Sequence, residues 1–285
     1  MLAEVSLILA AVFWGLNYAA TKYAADFVPP PLLVTFRFAL GGLLLLGVLR
    51  LLEPASRLKR ADFLPMLGLG CFGVVAAQTS FTFGVSMTSA SNTGLIFATT
   101  PIWGMLLGYV FGLERPGSGG VLGVGLSLLG VGIVMREGLG AGDTSFLGDL
   151  LILLAAVFVG VYTVFSMSML ERYSPLAVAT YPTLFAAPVT LVLSSPFLPG
   201  VAWGSLGLGV WAAIGYAAVF ATAFAFAAWQ RGISRIGANR VLVYQYLITL
   251  TGVVSGIVFF GEDLGPDQII GGAVILLGVY LTRRR

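Results

Sequence analysis

The sequence predicts an all-α integral membrane protein whose ten transmembrane helices form two inverted five-helix repeats. Three observations predict this fold: the composition suits a lipid-embedded chain, ten apolar stretches are long enough to cross a bilayer, and the two halves repeat one another. Of the 285 residues, 58% are hydrophobic and 9% are charged, whereas roughly a quarter of the residues in a soluble domain are charged. The mean hydropathy is +0.99. We therefore expect the lipid bilayer to be the solvent for most of the chain.

Ten windows of mostly apolar residues match the ~20 residues that a helix needs to cross ~30 Å of hydrocarbon. The predicted spans are about 3–24, 31–51, 63–85, 92–112, 118–135, 147–169, 176–194, 204–229, 240–260 and 267–282. The weakest break is "SMTSAS" at 86–91, which is polar but uncharged. Without it one helix would run for about 50 residues, too long for a bilayer. The first span carries Glu4 and lacks a basic leader, so we interpret it as a retained helix and not as a signal peptide.

The positions of Lys and Arg predict the orientation of the spans. With the N-terminus in the cytoplasm, twelve of the fifteen Lys and Arg residues fall on the cytoplasmic side. Lys22 and Arg136 fall outside, and Arg37 lies within span two. Cytoplasmic loops carry an excess of these residues in membrane proteins. We therefore expect a multi-pass protein of the bacterial cytoplasmic (inner) membrane with both termini in the cytoplasm.

The chain also contains an internal repeat. The segment "LAAVFWG" at 9–15 matches "LAAVFVG" at 154–160, an offset of 145. A later offset of 148 pairs Glu114 with Glu262 and Gly130 with Gly278. The predicted halves are 1–140 and 141–285, with five spans each. Because five is odd, the second half crosses the membrane in the opposite sense, an arrangement common in secondary transporters that bind substrate between the halves.

Three motifs resemble a known family. They are "FWGLNYAATK" at 13–22, "PPPLLVTFR" at 29–37 and "GEDLGPDQIIGGAVILLGVYL" at 261–281. In this order, with ten spans and two repeats, they resemble the EamA-type branch of the drug/metabolite transporter superfamily. Within that branch the chain looks most like the bacterial aromatic amino acid exporters. The resemblance implies a central cavity lined by spans 1, 3 and 4 and by spans 6, 8 and 9.

Polar and aromatic residues within these spans are the candidates for substrate binding, because a polar group inside a membrane helix is costly and tends to face a cavity or another helix. The candidates are Trp14, Asn17, Tyr18, Lys22, Arg37, Gln78, Phe81, Thr82, Thr100, Trp103, Tyr162, Trp229, Tyr244, Gln245 and Tyr246. Packing between helices is the alternative role for the aromatic side chains. The alternative for Lys22 is that its side chain extends to the lipid headgroups and does not bind substrate. Arg37 lies roughly 10 Å below the outer surface at 1.5 Å per residue, and it has either a structural role or a substrate anion as its partner.

Proline and glycine predict two structural features. Pro101 within "FATTPIW" (97–103) should free the carbonyl of Phe97 and bend span four. The glycine-rich segments 119–132 and 271–278 place small residues on one helix face, which allows close helix approach. The same faces could serve a dimer, so a monomer and a weak homodimer both stay open.

The sequence predicts an exporter of small amphipathic metabolites, with aromatic or neutral amino acids as the substrates. Alternating access through the cavity is the expected mechanism, and facilitative transport is favoured because no carboxylate lies at mid-span. The alternative is a proton-coupled exporter of other metabolites or drugs. An enzyme is disfavoured by the absence of His, the single Cys71 and the lack of paired carboxylates, and a channel by the lack of a charged ring. We expect no cofactor, no bound metal and no nucleic-acid partner.

Overall fold

The computed structural model describes residues 2–110, 118–136 and 145–283, which form ten helices that we number α1 to α10 in chain order. This part of the chain contains no β-strand. Six of the ten run without a change of helix type. They are α1 (Leu2–Ala25), α2 (Pro30–Leu52), α5 (Ser118–Val134), α6 (Ser145–Leu170), α7 (Pro175–Ser194) and α10 (Pro266–Arg283). The predicted all-α membrane fold is confirmed.

The other four helices change type along their length. In α3 and α8 a π-helical segment interrupts the α-helix: α3 consists of Phe63–Gly68, π-helical Leu69–Ala76 and Ala77–Met87, and α8 of Leu208–Ala218, π-helical Val219–Phe224 and Ala225–Ile236. Helix α4 is broken into Ala90–Phe97 and Thr100–Val110. Helix α9 consists of Ala238–Val241, the 3-10 turn Leu242–Tyr244 and Gln245–Phe260. The interrupted helices occupy equivalent positions in the two predicted halves, and π-bulges occur frequently at functional sites.

Length and composition fit a chain that crosses a membrane many times. Among the described residues six helices are long and apolar enough to cross it, namely α1, α2, α3, α6, α7 and α8. Shorter apolar helices lie in α5, α9 and α10. Helix α4 is apolar too, but its break leaves two pieces of 8 and 11 residues. The protein is therefore a multi-pass membrane protein.

The break in α4 follows from Pro101, as predicted. Helix α3 ends at Met87 and α4 begins at Ala90, so the predicted break at 86–91 is confirmed. The carbonyl of Phe97, which Pro101 leaves without a backbone donor, accepts a hydrogen bond from Thr100 Oγ1 at 2.6 Å. The hydroxyl of Thr100 thus compensates for the bond that the proline removes.

The predicted end of span eight at residue 229 is wrong. Helix α8 continues through "QRGISRI" to Ile236. The segment has two faces: Arg231 and Arg235 are exposed, whereas Gln230 and Ile233 are buried. The composition of this segment is that of a loop. It stays helical because one of its faces packs against the protein.

The contacts between helices are repeated when each helix is replaced by its equivalent in the other half. The contact of α1 with α9 has its counterpart in α6 with α4, and the contact of α3 with α6 has its counterpart in α8 with α1. Helices α5 and α10 pack on each other through glycine, because a Cβ on Gly130 would lie 2.7 Å from the carbonyl oxygen of Gly271. The predicted close approach of the glycine-rich faces is confirmed. The predicted boundary between 140 and 141 falls outside the described residues and stays a prediction.

Candidate functional site

A partly open cavity lies between the two halves, where α1, α3, α4, α6, α8 and α9 meet and α2 contributes Arg37. Its volume is ≈ 60 Å³, counted as the space open to the centres of water-sized molecules, enough for about four waters at ~15 Å³ each. The described residues that line it are Trp14, Asn17, Tyr18, Arg37, Gly73, Gln78, Phe81, Phe97, Val159, Tyr162, Phe226, Trp229, Gln230, Gln245 and Ile248. We call this space the central cavity.

Equivalent positions of the two halves meet in the central cavity with different chemistry. At the offset of 148, Gln78 pairs with Phe226, and Phe97 pairs with Gln245. At each of these positions an amide in one half stands opposite an aromatic ring in the other. The cavity is therefore symmetric in position but asymmetric in polarity, which suits a substrate with distinct polar and apolar parts.

Arg37 is the charged residue among the described lining residues of the central cavity, and it is 5% exposed. Its Nε donates to Thr222 Oγ1 at 2.8 Å and its Nη1 to Gln78 Oε1 at 3.0 Å. Its Nη2 donates to the carbonyl of Ala221 at 3.2 Å. All three acceptors are neutral. A buried guanidinium held only by neutral acceptors is a favourable partner for a carboxylate, which matches its planar donor geometry.

The π-helical segment of α8 positions both Arg37 and Trp14. The carbonyl of Ala221 accepts the indole Nε1–H of Trp14 at 2.7 Å as well as the Arg37 guanidinium. A π-bulge locally changes the backbone hydrogen-bond pattern, and here a carbonyl within it meets side chains from α1 and α2. The bulge thus joins the cationic group and the indole of the cavity.

Two groups of aromatic rings line the central cavity. The tryptophan group consists of Trp14, Phe226 and Trp229, with Trp14 5.0 Å from Trp229 and 5.7 Å from Phe226 between ring centroids. The centroid of Tyr18 in a second group lies 5.3 Å from that of Phe81 and 6.3 Å from that of Phe97. Several of these pairs meet edge to face or tilted, as aromatic rings prefer. Both groups present apolar ring surface to the cavity.

Several polar atoms of the cavity have no protein partner. Among the described residues, five buried side-chain polar atoms lack a hydrogen bond: Asn17 Oδ1, Tyr18 OH, Gln230 Oε1, Gln245 Nε2 and Thr249 Oγ1. The first four belong to residues that line the central cavity. An unsatisfied buried polar atom costs ~1–3 kcal/mol. Water or a polar ligand in the cavity would remove that cost.

Nine of the fifteen predicted binding residues line the central cavity: Trp14, Asn17, Tyr18, Arg37, Gln78, Phe81, Tyr162, Trp229 and Gln245. Their contact with a substrate stays a prediction. Thr82 is buried beside it in a small space of ≈ 10 Å³ that Arg37 also lines. Tyr244 and Tyr246 are half-buried and pack on the hydrophobic core.

Three further predicted residues have protein partners elsewhere. Lys22 donates to the carbonyl of Thr88, and its Nζ lies 5.8 Å from the centroid of the Phe260 ring. Thr100 bonds the Phe97 carbonyl, and the indole of Trp103 donates to Thr99 Oγ1 at 3.2 Å.

Sequence reasoning missed Gln230, which is completely buried and lines the central cavity. It begins the polar segment at 230–240, whose composition predicts a loop. The repeat carries a signal for it, because the offset of 148 pairs Gln230 with the predicted candidate Thr82. The lining residues Gly73, Phe97, Val159, Phe226 and Ile248 were also missed. Their residue types are the same as those that face lipid.

Comparison with known proteins identifies the family. The profile of the EamA-like transporter family matches residues 1–136 and 146–284. The chain belongs to the EamA-like transporter family. This membership agrees with the resemblance that the motifs indicate, and members of this family are transporters and not enzymes.

Relatives of this EamA-like protein span almost its whole length. An uncharacterized transporter of Archaeoglobus fulgidus is 27% identical, covering 98% of both chains. A probable terminal-alkyne amino-acid exporter of Streptantibioticus cattleyicolor is 28% identical, covering 98% of this chain and 93% of the relative. A probable amino-acid metabolite efflux pump of Salmonella typhimurium is 25% identical, covering 96% and 92%. A crystal structure with 22% identity matches at a TM-score of 0.68 over 99% of this chain and 96% of the other, and supports the fold alone.

Two polar clusters tie together opposite ends of this EamA-like transporter. At the first end, which we call the Glu262 end, Glu262 accepts hydrogen bonds from the start of α4. Nearby, Asp149 accepts from Thr88 Oγ1 at 2.6 Å and, more weakly, from Asn92 Nδ2 at 3.3 Å. The second half is thereby attached to the α3–α4 turn of the first half.

The other end, which we call the Arg172 end, is tied by charged and hydroxyl groups. Asp62 accepts from the guanidinium of Arg172 and from the hydroxyl of Tyr173 at 2.6 Å. Glu53 accepts a hydrogen bond from Ser174. The α2–α3 connection is thereby bound to the α6–α7 connection. In the described residues no group of three His, Cys, Asp or Glu side chains is placed to hold a metal ion.

Proposed function

We propose that this EamA-like protein exports amino acids with aromatic or other large neutral side chains from the cytoplasm, by alternating access through the central cavity. One observation carries the proposal: the cavity combines a buried arginine, several unpartnered amide and hydroxyl atoms, and two groups of aromatic rings. The names of two relatives, an amino-acid exporter and an amino-acid metabolite efflux pump, are consistent with it.

The carboxylate of the substrate would bind Arg37. A guanidinium has five N–H groups, and three of those on Arg37 point to neutral acceptors. An arginine at the centre of a membrane helix costs about 2.5–3.5 kcal/mol on insertion scales, and one at roughly 10 Å below the surface still needs a compensating partner. A substrate anion supplies the charge that Thr222, Gln78 and the Ala221 carbonyl do not.

The side chain of the substrate would lie against the tryptophan group. Trp14 is fixed by its hydrogen bond to Ala221, and Trp229 packs against it with centroids 5.0 Å apart. Trp229 is buried and Trp14 is half-buried, and both line the same space as Arg37. An aromatic or long aliphatic side chain would bury apolar area on these rings without leaving a polar atom unpaired.

Alternating access requires that the cavity open first to one side and then to the other. The clusters at the Glu262 end and the Arg172 end are suited to be the two gates, because each joins the halves by bonds that water can replace. From the distribution of Lys and Arg we infer that the Glu262 end faces the outside and the Arg172 end faces the cytoplasm. The described lining of the central cavity contains no carboxylate, which favours facilitative transport over coupling through Asp or Glu.

Purified protein in liposomes tests the proposal. The liposomes are loaded with labelled tryptophan, phenylalanine, threonine or glutamate, and efflux is followed with and without an imposed pH gradient. We expect fast efflux of the aromatic amino acids that does not depend on the gradient. Dependence on the gradient would favour the proton-coupled alternative. If none of the four leaves faster than from protein-free liposomes, and purines or dyes do, the substrate is another metabolite or a drug.

A further inference from the structure

Two polar side chains of α8, Thr222 and Gln230, lie at different levels along the helix. At the first level Thr222 accepts the hydrogen bond from Arg37 Nε. At the second level lies Gln230, eight residues further along the same helix. At a rise of 1.5 Å per residue, the two levels are about 12 Å apart along the axis. Two members of the tryptophan group, Phe226 and Trp229, lie on the same stretch between Thr222 and Gln230.

Gln230 is held in one orientation. Its Nε2 donates to the hydroxyl of Tyr162 at 2.9 Å. The ring of Tyr162 is held in turn against Gly73 of α3, where a Cβ would come within 2.2 Å of a ring carbon. The amide nitrogen of Gln230 is thus committed to a fixed partner, which also fixes where its oxygen points.

The remaining atom of that amide, Gln230 Oε1, is buried and has no hydrogen-bond partner. It belongs to a residue that is 0% exposed and lines the central cavity. A carbonyl oxygen only accepts hydrogen bonds. A ligand group that meets this atom must therefore be a donor.

We propose that Gln230 determines substrate specificity by accepting a hydrogen bond from a donor on the substrate's ring. This proposal rests on the proposed function, because it takes the carboxylate to lie at Arg37. An aromatic amino acid oriented in this way extends along the tryptophan group, with the far edge of its ring toward Gln230. The indole N–H of tryptophan and the hydroxyl of tyrosine are donors at that edge, whereas phenylalanine has none. A site that leaves a buried acceptor unpaired discriminates against the ligand that lacks the donor.

The alternative partner for Gln230 Oε1 is the ammonium group of the substrate. Every amino acid carries that group, so the alternative predicts the same effect of a Gln230 substitution on all substrates. The ring-donor proposal predicts an effect on tryptophan and tyrosine alone. The ratio of transport rates therefore separates the two.

The test compares efflux of tryptophan, tyrosine, phenylalanine and 1-methyltryptophan from liposomes with the full-length protein. The native protein should prefer tyrosine to phenylalanine, and tryptophan to its N-methyl analogue, by about tenfold, the size of one hydrogen bond. Gln230→Met keeps the length of the side chain and removes the acceptor. It should bring both ratios close to one while phenylalanine is still transported.

Gln245→Met is the matched control. Gln245 lines the same cavity, and its unpartnered atom is the donor Nε2. We expect this variant to slow all four substrates alike and to leave the ratios unchanged. Equal ratios in the native protein, or a uniform loss in Gln230→Met, would overturn the specificity proposal. If none of the four substrates moves in the native protein, the proposed function itself fails.

Discussion

The carboxylate of Glu262 accepts a hydrogen bond from the hydroxyl of Ser91 at 2.7 Å, although 171 residues separate the two in sequence. The same carboxylate accepts the backbone N–H groups of Ala90 and Ser91 at 2.8 and 2.9 Å. These N–H groups lie at the N-terminus of α4, where the helix dipole favours negative charge. A side chain that follows α9 thus fixes the start of α4, and α9 and α4 are the equivalent helices of the two halves.

Glu262→Gln should open the Glu262 end. The substitution removes the charge and leaves a single amide oxygen to accept. Hydrogen bonds to a charged group are worth ~1.5–3 kcal/mol, so the closed state should lose a factor of about ten or more in population. The measurement is labelling of a cysteine in place of Asn17 in a Cys71→Ser background, with a membrane-impermeant thiol reagent added outside.

The control for this experiment is Asp263→Asn. Asp263 is the next residue and is exposed, so its substitution removes the same charge from the same surface without touching α4. We expect it to label at the native rate. Equal labelling of Glu262→Gln and the native protein would show that the Ser91 contact does not hold this end closed.

Arg37→Gln should abolish most transport of amino acids. The substitution removes the positive charge and leaves a shorter, neutral amide. Loss of a charge-assisted hydrogen bond to a carboxylate predicts a ten- to hundredfold lower rate. Folding should suffer less, because the partners of Arg37 are neutral and no buried anion is left unpaired. Liposome efflux and thermal unfolding of the purified protein measure the two effects.

Arg50→Gln controls for the loss of a positive charge. Arg50 is exposed at the end of α2 and donates to the carbonyl of Ser56. Its replacement should leave efflux within twofold of native. If Arg37→Gln transports at the native rate, Arg37 has a structural role and the carboxylate binds elsewhere.

The fold could be predicted from the sequence because membrane spans are constrained by length and hydropathy. The ten spans, the break before α4 and the bend at Pro101 all follow from local rules. The end of α8 does not, because a helix with one buried and one charged face has the composition of a loop. Gln230 lies in that last part of α8, so its place in the cavity could not be predicted either.

The lining of the central cavity could be predicted in its polar part and in part of its aromatic surface, which includes Trp14, Phe81 and Trp229. Asn17, Gln78 and Gln245 are conspicuous because an amide within a membrane helix needs a partner. Phe97 and Phe226 also line the cavity, but phenylalanine that faces lipid has the same residue type and spacing. Lys22, in contrast, is a conspicuous charged residue that does not line the cavity. It lies near a helix end and donates to the nearby carbonyl of Thr88. Which face of an apolar helix meets the cavity depends on packing that hydropathy does not encode.

Gly73→Ala should disturb the cavity through Tyr162. A Cβ at this position would come within 2.2 Å of Cδ2 and 2.6 Å of Cγ of the Tyr162 ring, so the ring must move and its bond to Gln230 must lengthen. Overpacking of this kind costs ~1–3 kcal/mol. We expect lower thermal stability together with slower transport.

Gly68→Ala provides a control in the same helix, five residues earlier. A Cβ there meets no atom within 4 Å among the described residues. Because alanine favours a helix over glycine by ~0.5–1 kcal/mol, this variant should be as stable as the native protein or more so. A destabilised Gly68→Ala would mean that α3 needs flexible glycine itself, and the contact with Tyr162 would not explain Gly73→Ala.

Asp62→Asn should open the Arg172 end and give the opposite labelling pattern to Glu262→Gln. Asp62 is buried, with 3% of its side chain exposed, whereas Arg172 is 48% exposed. The substitution leaves an amide that no longer pairs with the guanidinium and accepts only a weaker, uncharged hydrogen bond from Tyr173. Labelling of the Asn17→Cys site should rise when the thiol reagent is added to the cytoplasmic face of inside-out vesicles, and should not rise from the outside.

The neighbour Glu171 provides the control for this end, since it is exposed and Glu171→Gln removes one negative charge there.

The pH range of the effect follows from Tyr173. Burial, and then its bond to Asp62, raise the pKa of the Tyr173 hydroxyl above its ordinary value of 10.0. On the alkaline side this contact is retained below pH 10.0 and is lost only as the pH rises through the higher pKa of the Tyr173 hydroxyl in the folded protein. The difference between native and Asp62→Asn labelling should be constant from pH 6 to about pH 9. A difference that disappears within that range would mean that a group other than Tyr173 controls this gate.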